Sequence, residues 1–196
     1  MGRVKSALEI ALEKADKVGV LSPEEKEKMQ DEGKIAEILK DFFQGRIDSN
    51  SLWQKLRGSK PSVLRMAQTT LIDSMSLNSL LEQMESRQKG ILAIETLKDR
   101  QNTVVIESSL KALAVIMKEY EEVKAKVAAD LRKHVESNPQ LRMKPVRTPD
   151  GKTMMQMAVT VDEAVKAKMD EFLSEHEEQY TNEFAGIIEE LKIQIK

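Results

Sequence analysis

The sequence predicts a mainly α-helical fold: an elongated antiparallel helical bundle or coiled coil, with one β-hairpin inserted between a long helix and the C-terminal helix. Apolar residues recur at steps of three and four along most of the 196-residue chain. Charged residues make up 33% of the sequence and aromatic residues only 4%, which favours narrow seams between helices over a wide core. Prolines at positions 139, 145 and 149 interrupt this pattern between two long helical stretches.

Residues 1–60 are predicted to form a small cluster of helices. The first helix is expected over Val4–Val18. Ser22-Pro23-Glu24-Glu25 supplies a capping serine, a proline at the first helical position and a glutamate at the third, and so predicts a second helix that ends near Gly45. A short third helix is expected around Trp53. We expect Trp53 to pack in a small core, with an exposed anchor for a partner as the alternative.

Residues 61–196 are predicted to form a long helical stalk with the hairpin at about 141–159. Residues 62–138 contain no proline, so they should form one helix or two, with a bend or turn either at the serine-rich patch 73–79 or at Gly90. An apolar seam is predicted on the later part of this segment, at Ile106, Leu110, Leu113, Met117, Tyr120, Val127 and Leu131. A matching stripe on the C-terminal helix is predicted at Met169, Leu173, His176, Tyr180, Phe184, Ile187 and Leu191. The two helices should therefore lie antiparallel.

The segment between these helices predicts a β-hairpin. Extended-type residues occupy 142–146 and 153–159, on either side of the turn sequence Thr148-Pro149-Asp150-Gly151. Proline suits the first central turn position, and glycine tolerates the positive φ that follows. Thr160 and Glu163 form a second capping box, which predicts a return helix from Val161 onward.

The hairpin is also the predicted contact site for a protein partner. Its candidate residues are Arg142, Lys144, Arg147, Lys152, Met155 and Met157. The four basic residues are opposed only by Asp150, while the return helix is mostly acidic, a polarity that could steer an acidic partner to the hairpin. The alternative, which we favour, is that these charges discourage edge-to-edge pairing of strands.

Three methionines lie on the second predicted strand. Alternation places Met155 and Met157 on one face and Met154 on the other. Flexible, polarizable methionine side chains suit an adaptable contact surface. They also fill irregular gaps between a hairpin and a helix end, and this packing interpretation is the favoured one.

Composition narrows the possible functions. The net charge of −2 and the pI of about 5.9 provide no global positive field, so nucleic-acid binding is not expected. There is no cysteine, which excludes thiol chemistry and is compatible with a reducing compartment. The apolar stretches are too short to span a membrane, and residues 1–17 lack the apolar core of a secretion signal. We therefore expect a cytoplasmic protein without membrane contact.

No residue set in the sequence points to catalysis. Phosphate-binding glycine loops and the G-x-S-x-G nucleophile motif are absent. Neither His134 nor His176 has the carboxylate or histidine spacing of a metal site, so His176 is expected in the helix seam and His134 at a helix end. No enzyme activity and no cofactor are expected.

The sequence thus predicts a non-enzymatic structural or protein-interaction protein, a helical scaffold that self-associates as a homo-oligomer. Two alternatives remain open. One is a chaperone or adaptor that holds a partner helix in an apolar groove around Ile38, Phe42, Phe43 and Trp53. The other is a nucleic-acid accessory protein that binds weakly through the basic hairpin.

Overall fold

The computed structural model describes residues 22–147, 149–151 and 153–196. The helices in these residues are α1 (Pro23–Phe43), α2 (Ser49–Leu56), α3 (Pro61–Asp73), α4 (Leu81–Glu95), α5 (Thr103–Ser137) and α6 (Val161–Gln194). A 3-10 turn (Pro139–Arg142) leads from α5 into β1 (Met143–Arg147), which pairs with β2 (Thr153–Met157). The predicted mainly α-helical fold with one inserted hairpin is confirmed. The predicted helix Val4–Val18 lies outside the described residues.

The start of α1 is fixed by the predicted capping box. The Ser22 hydroxyl accepts a hydrogen bond from the Glu25 N–H at 3.1 Å, and the Glu25 carboxylate accepts one from the Ser22 N–H at 2.7 Å. Gly33 lies inside α1, and Gly45 follows the helix with a φ of 69° that favours glycine. Both the start and the approximate end of this helix are therefore as predicted.

The short helix α2 carries Trp53 at the surface of the bundle. Asp48 caps the helix by accepting a hydrogen bond from the Ser51 N–H at 2.8 Å. Trp53 is half-buried, and its indole N–H donates to the Thr96 hydroxyl at 3.1 Å, while Arg57 lies over its ring. Trp53 therefore packs within the chain, but at the rim of the core.

The proline-free segment 62–138 forms three helices, so the expectation of one or two was wrong. The predicted break at the serine-rich patch is present: α3 ends at Asp73, and the Ser76 and Ser79 hydroxyls are hydrogen-bonded at 3.0 Å in the turn that follows. Gly90 lies inside α4, where a Cβ would come within 2.9 Å of the Phe42 ring. A second break, at residues 96–102, was not predicted.

One hydrophobic core joins α1–α4 to the first half of α5 and the end of α6. Its largest fully buried side chains are Leu52, Leu56, Leu71, Ile72, Met84, Ile91, Ile94, Ile106, Leu110, Leu113, Met117 and Leu191. The short helices surround the long ones at this end, so the molecule has a thick bundle from which α5 and α6 continue as a pair.

Helices α5 and α6 run antiparallel, as predicted. Asn102 donates to the Gln194 carbonyl at one end, Tyr120 packs on Tyr180 with ring centroids 5.3 Å apart, and Arg132 pairs with Asp162 at the other end. The predicted capping box is also present, because the Thr160 hydroxyl accepts from the Glu163 N–H at 3.2 Å.

The prediction that His176 lies in the seam was wrong. His176 is exposed and stacks on Phe172 of its own helix, with ring centroids 4.3 Å apart. The half-buried side chain at this point is Glu177, which accepts a hydrogen bond from Asn78 at 2.9 Å. Burial and a hydrogen bond to Glu177 raise the pKa of Tyr120 to about 12. Glu177, and not His176, therefore occupies the half-buried position at this point of α6.

Candidate functional site

The hairpin lies at the end of the α5–α6 pair that is remote from the core. The core residues of α5 end at Tyr120, and among the described residues near the hairpin only Val135 and Ala164 are buried. Helix α5 stops at Ser137, where the Asn138 amide donates to the His134 carbonyl at 2.8 Å. His134 is thus in the last turn of the helix, as expected. The 3-10 turn then redirects the chain into β1.

The turn and the register of the hairpin follow from the predicted turn sequence. Gly151 has a φ of 80°, the left-handed conformation that favours glycine. Arg147 lies opposite Thr153, Pro145 opposite Met155 and Met143 opposite Met157. Met155 and Met157 therefore share one face of the sheet, and Met154 lies on the other, as predicted.

The methionines of β2 are exposed, so the interpretation that they fill a gap against a helix was wrong. The exposed fractions are 61% for Met154, 58% for Met155 and 49% for Met157. Every residue of β2 is exposed, and in β1 only Met143 is half-buried. Within the described residues, the three methionines of β2 are therefore left largely open to solvent.

The two outer edges of the hairpin differ. The Ala158 N–H donates to the Arg142 carbonyl at 3.0 Å, so residues 142 and 158 form an inward-facing pair. Inward and outward positions alternate along antiparallel strands. Residues 143, 145 and 147 of β1 and residues 153, 155 and 157 of β2 therefore direct their backbone groups outward. Pro145 has no N–H and lies at the middle outward position of β1.

The basic candidate residues do not form one patch. Arg142 is half-buried at the base of the hairpin, and Lys144 and Arg147 are exposed on opposite faces. Glu163 lies near Lys144, and its pKa is lowered by the hydrogen bonds from Thr160 and to a lesser degree by Lys144. Lys152 lies outside the described residues. The structure thus brings Met155 and Met157 together and separates the basic side chains.

A buried polar group that the sequence did not reveal lies at the opposite end of the molecule. We call Gln68, Glu95, Lys98 and Asn102 the Glu95 network. Gln68 is fully buried and Glu95 is 1% exposed. The Glu95 carboxylate accepts from the Gln68 amide at 2.9 Å, the Lys98 ammonium at 2.9 Å and the Asn102 N–H at 2.7 Å.

The Glu95 network holds the end of α6. Lys98 donates to the Ile195 carbonyl and Asn102 to the Gln194 carbonyl, both at 2.9 Å, which satisfies carbonyls that a helix end leaves without partners. Burial on its own raises the pKa of Glu95, but the hydrogen bonds from Gln68, Asn102 and Lys98 outweigh it, so the pKa lies below its usual value of 4.5. This carboxylate is therefore held as a charged structural acceptor.

A cavity of about 640 Å³ lies beside the Glu95 network, between the end of α6 and the break at residues 96–102. Arg65, Lys98 and Arg100 line it, but Arg65 donates to the Lys196 carbonyl at 2.8 Å and Lys98 is engaged by Glu95. Among the described residues, no group of three or more His, Cys, Asp or Glu side chains could hold a metal ion.

The four residues predicted to form an apolar groove do not line one groove, although the Phe42 and Phe43 ring centroids are 6.4 Å apart. Phe42 is 3% exposed and packs against Gly90, whereas Phe43 is 43% exposed under Arg87. Ile38 lines a separate cavity of about 260 Å³, and Trp53 is engaged with Thr96. A single groove for a partner helix is not formed by these side chains.

Residues 50–196 match a family of unknown function, DUF6657. The match covers well over half of the chain. The chain belongs to this family. The segment shared with DUF6657 includes α3–α6, the Glu95 network and the whole hairpin. No curated protein and no solved structure gave a match. Among the described residues, no helix has the length and apolar composition of a membrane span.

Proposed function

We propose that this member of DUF6657 is a non-enzymatic scaffold, in which the helical bundle and the α5–α6 pair present the hairpin to another protein chain. The main support is the exposure of Met154, Met155 and Met157 on a strand without charge or proline. Apolar side chains gain free energy when they leave water. A cluster of them at the end of a helical pair is suited to contact with a partner.

The stability of the hairpin gives a second argument. An isolated two-stranded hairpin is marginally stable in water, and a third strand or a packing surface stabilises it. The described chain provides neither for β2, all of whose residues are exposed. Flexible methionine side chains can adapt to an incoming surface. A protein partner would therefore complete the sheet.

The rival functions have less support. A nucleic-acid site would need basic side chains on one surface, but Lys144 and Arg147 lie on opposite faces of the hairpin. A chaperone groove would need its four apolar residues together. Enzyme chemistry would need a reactive group open to a substrate, whereas Glu95 is buried and saturated with donors.

The scaffold proposal includes coiled-coil pairing and self-association. Between the core and the hairpin, α5 and α6 pack as a pair with half-buried side chains at Val127, Leu131, Met169 and Leu173. A second copy could cover this open side. We also propose a cytoplasmic location, because a chain without cysteine suits a reducing compartment.

Affinity capture with a matched control tests the proposed contact site. The double variant Met155→Ser/Met157→Ser removes apolar surface from the hairpin, and Ile193→Ser removes a similarly exposed side chain (62%) from the bundle end. We expect the double variant to lose its specifically captured protein by roughly tenfold or more. The Ile193 variant should retain it. Equal capture by the wild type and the double variant would overturn the proposal.

A further inference from the structure

The outer edge of β2 is open to another strand, whereas that of β1 is blocked. Pro145 removes the central outward donor from β1, and Lys144 and Arg147 add charge to that strand. The sequence of β2 is Thr-Met-Met-Gln-Met, without charge or proline. Charge and proline thus disfavour strand pairing at the edge of β1, and β2 has neither.

We infer that the edge of β2 pairs with β2 of a second copy of the chain, antiparallel and centred on Met155. This inference rests on the proposed function of the hairpin as a contact site. A two-fold axis at Met155 places that residue opposite its own copy and Thr153 opposite Met157 of the partner subunit. All of these positions direct their backbone groups outward, so each N–H meets a carbonyl. The edge is complementary to itself.

The side chains support the same arrangement. Met143, Met155 and Met157 share one face of the hairpin. Pairing through β2 would extend this face across a four-stranded sheet and remove part of the exposed methionine surface from water. This face is apolar apart from Arg147 and Thr153. Four strands with such a face also meet the size at which a sheet becomes stable.

Charge favours the antiparallel orientation. It directs the tip of each hairpin, next to Arg147, towards the start of α6 in the other copy. The first turn of α6 carries Asp162 and Glu163. A parallel orientation would instead bring the two basic hairpins together tip to tip, which like charges disfavour. Charge thus favours the antiparallel orientation, and the outward backbone groups set the register within it.

Cysteine cross-linking tests the register, because the chain has no cysteine of its own. Opposed Cα atoms in a hydrogen-bonded antiparallel pair are about 5.5 Å apart, within the range for a disulfide. Met155→Cys should cross-link to itself under mild oxidation, and Thr153→Cys should cross-link to Met157→Cys when the two variants are mixed. Thr153→Cys alone should not, because the two copies of residue 153 would lie about 13 Å apart along the strands.

Val146→Cys is the matched control, since Val146 is exposed (40%) on β1. It should form little dimer. Cross-linking of Val146→Cys as fast as that of Met155→Cys would overturn the inference, and so would a Met155→Cys variant that stays monomeric.

Light scattering across a dilution series provides a second test. Met155→Pro removes an outward donor from β2 but no hydrogen bond within the hairpin, whereas Met155→Leu keeps both the donor and the apolar volume. The proline variant should weaken dimerisation by roughly tenfold or more, because the lost donor counts twice in a symmetric dimer. Equal dimerisation of the two variants, or a monomeric wild type, would overturn the inference.

Failure of this inference is distinguishable from failure of the proposed function. If the wild type is monomeric but Met155→Ser/Met157→Ser still loses a captured protein, the second copy is excluded and a different protein contacts the hairpin. If the capture is also unchanged, the proposed function fails as well.

Discussion

Similar side chains are buried at one end of the molecule and exposed at the other. Met84 is 2% exposed in the bundle, whereas Met155 is 58% exposed in the hairpin. Glu95 is buried and accepts hydrogen bonds from three residues, whereas Lys144 and Arg147 are exposed on a two-stranded sheet. The bundle end buries Met84 and engages the Glu95 carboxylate within the chain. The hairpin end leaves Met155, Lys144 and Arg147 to solvent or to a partner.

This difference indicates that the residues that stabilise the fold are distinct from those proposed to contact a partner. The core residues lie in α1–α4, the first half of α5 and the C-terminal part of α6, and none of the described hairpin residues belongs to the core. Substitutions in the hairpin should therefore change association with little effect on folding, and substitutions in the bundle should do the reverse. Matched substitutions at the two ends test this separation.

The largest difference is expected for methionine truncation. Met84→Ala should lower the free energy of unfolding by about 2–5 kcal/mol, because it leaves a cavity in a packed core. Met155→Ala removes the same atoms from an exposed site and should change it by less than about 0.5 kcal/mol. Denaturant unfolding of the two variants measures both values. Similar losses would show that the hairpin is part of the cooperative fold.

The next largest effect is expected at the Glu95 network. Glu95→Gln should lower the free energy of unfolding by about 1–3 kcal/mol. The glutamine amide presents a donor where the carboxylate accepts a hydrogen bond, and Lys98 loses its counter-charge. Glu85→Gln, on the same helix, is the control. Glu85 and Lys89 are both 69% exposed and 4.0 Å apart, so this substitution should cost less than about 0.5 kcal/mol. Equal costs would mean that the network adds nothing beyond a surface ion pair.

The lowered pKa of Glu95 predicts how the difference in stability between the wild type and Glu95→Gln depends on pH. A carboxyl group with a lower pKa in the folded state stabilises the fold above its unfolded pKa, and this contribution is lost as the pH falls through the folded pKa. The advantage of the wild type over Glu95→Gln should thus be constant at neutral pH and shrink below about pH 4.5. An advantage that grows on acidification would contradict this assignment.

Features encoded within a few residues were predicted correctly. Each capping box needs only a serine or threonine and a glutamate three positions later, and the hairpin turn needs only its own proline, aspartate and glycine. Such signals specify where an element begins or reverses. They do not report what lies on its surface, which is why the exposure of the β2 methionines was missed.

Features that depend on distant residues were not predictable. The break after α4 has no proline or glycine; it is held by Glu95, which accepts from the Asn102 N–H, and by Asn102, which donates to the end of α6. The seam assignment of His176 failed for the same reason. Asn78, 99 positions away in the sequence, donates a hydrogen bond to Glu177 and keeps it in the half-buried position. Periodicity alone cannot distinguish these two neighbouring residues.

The smallest effect is expected at two glycines that have nearly the same φ. Gly58, between α2 and α3, has a φ of 78°, and Gly151 in the hairpin turn has a φ of 80°. An added Cβ would meet no atom within 4 Å at either position. Substitution by alanine should therefore cost about 1 kcal/mol at each site through backbone strain alone.

The strain should appear in different measurements at the two ends. In Gly58→Ala it should lower the global free energy of unfolding, because α2 and α3 both contribute to the core. In Gly151→Ala it should leave global unfolding unchanged and speed hydrogen exchange of the inward-facing amides of β2 by roughly fivefold, because the hairpin opens locally. A global loss in both variants would show that the hairpin and the bundle unfold as one unit, and would remove the basis for assigning stability to one end and binding to the other.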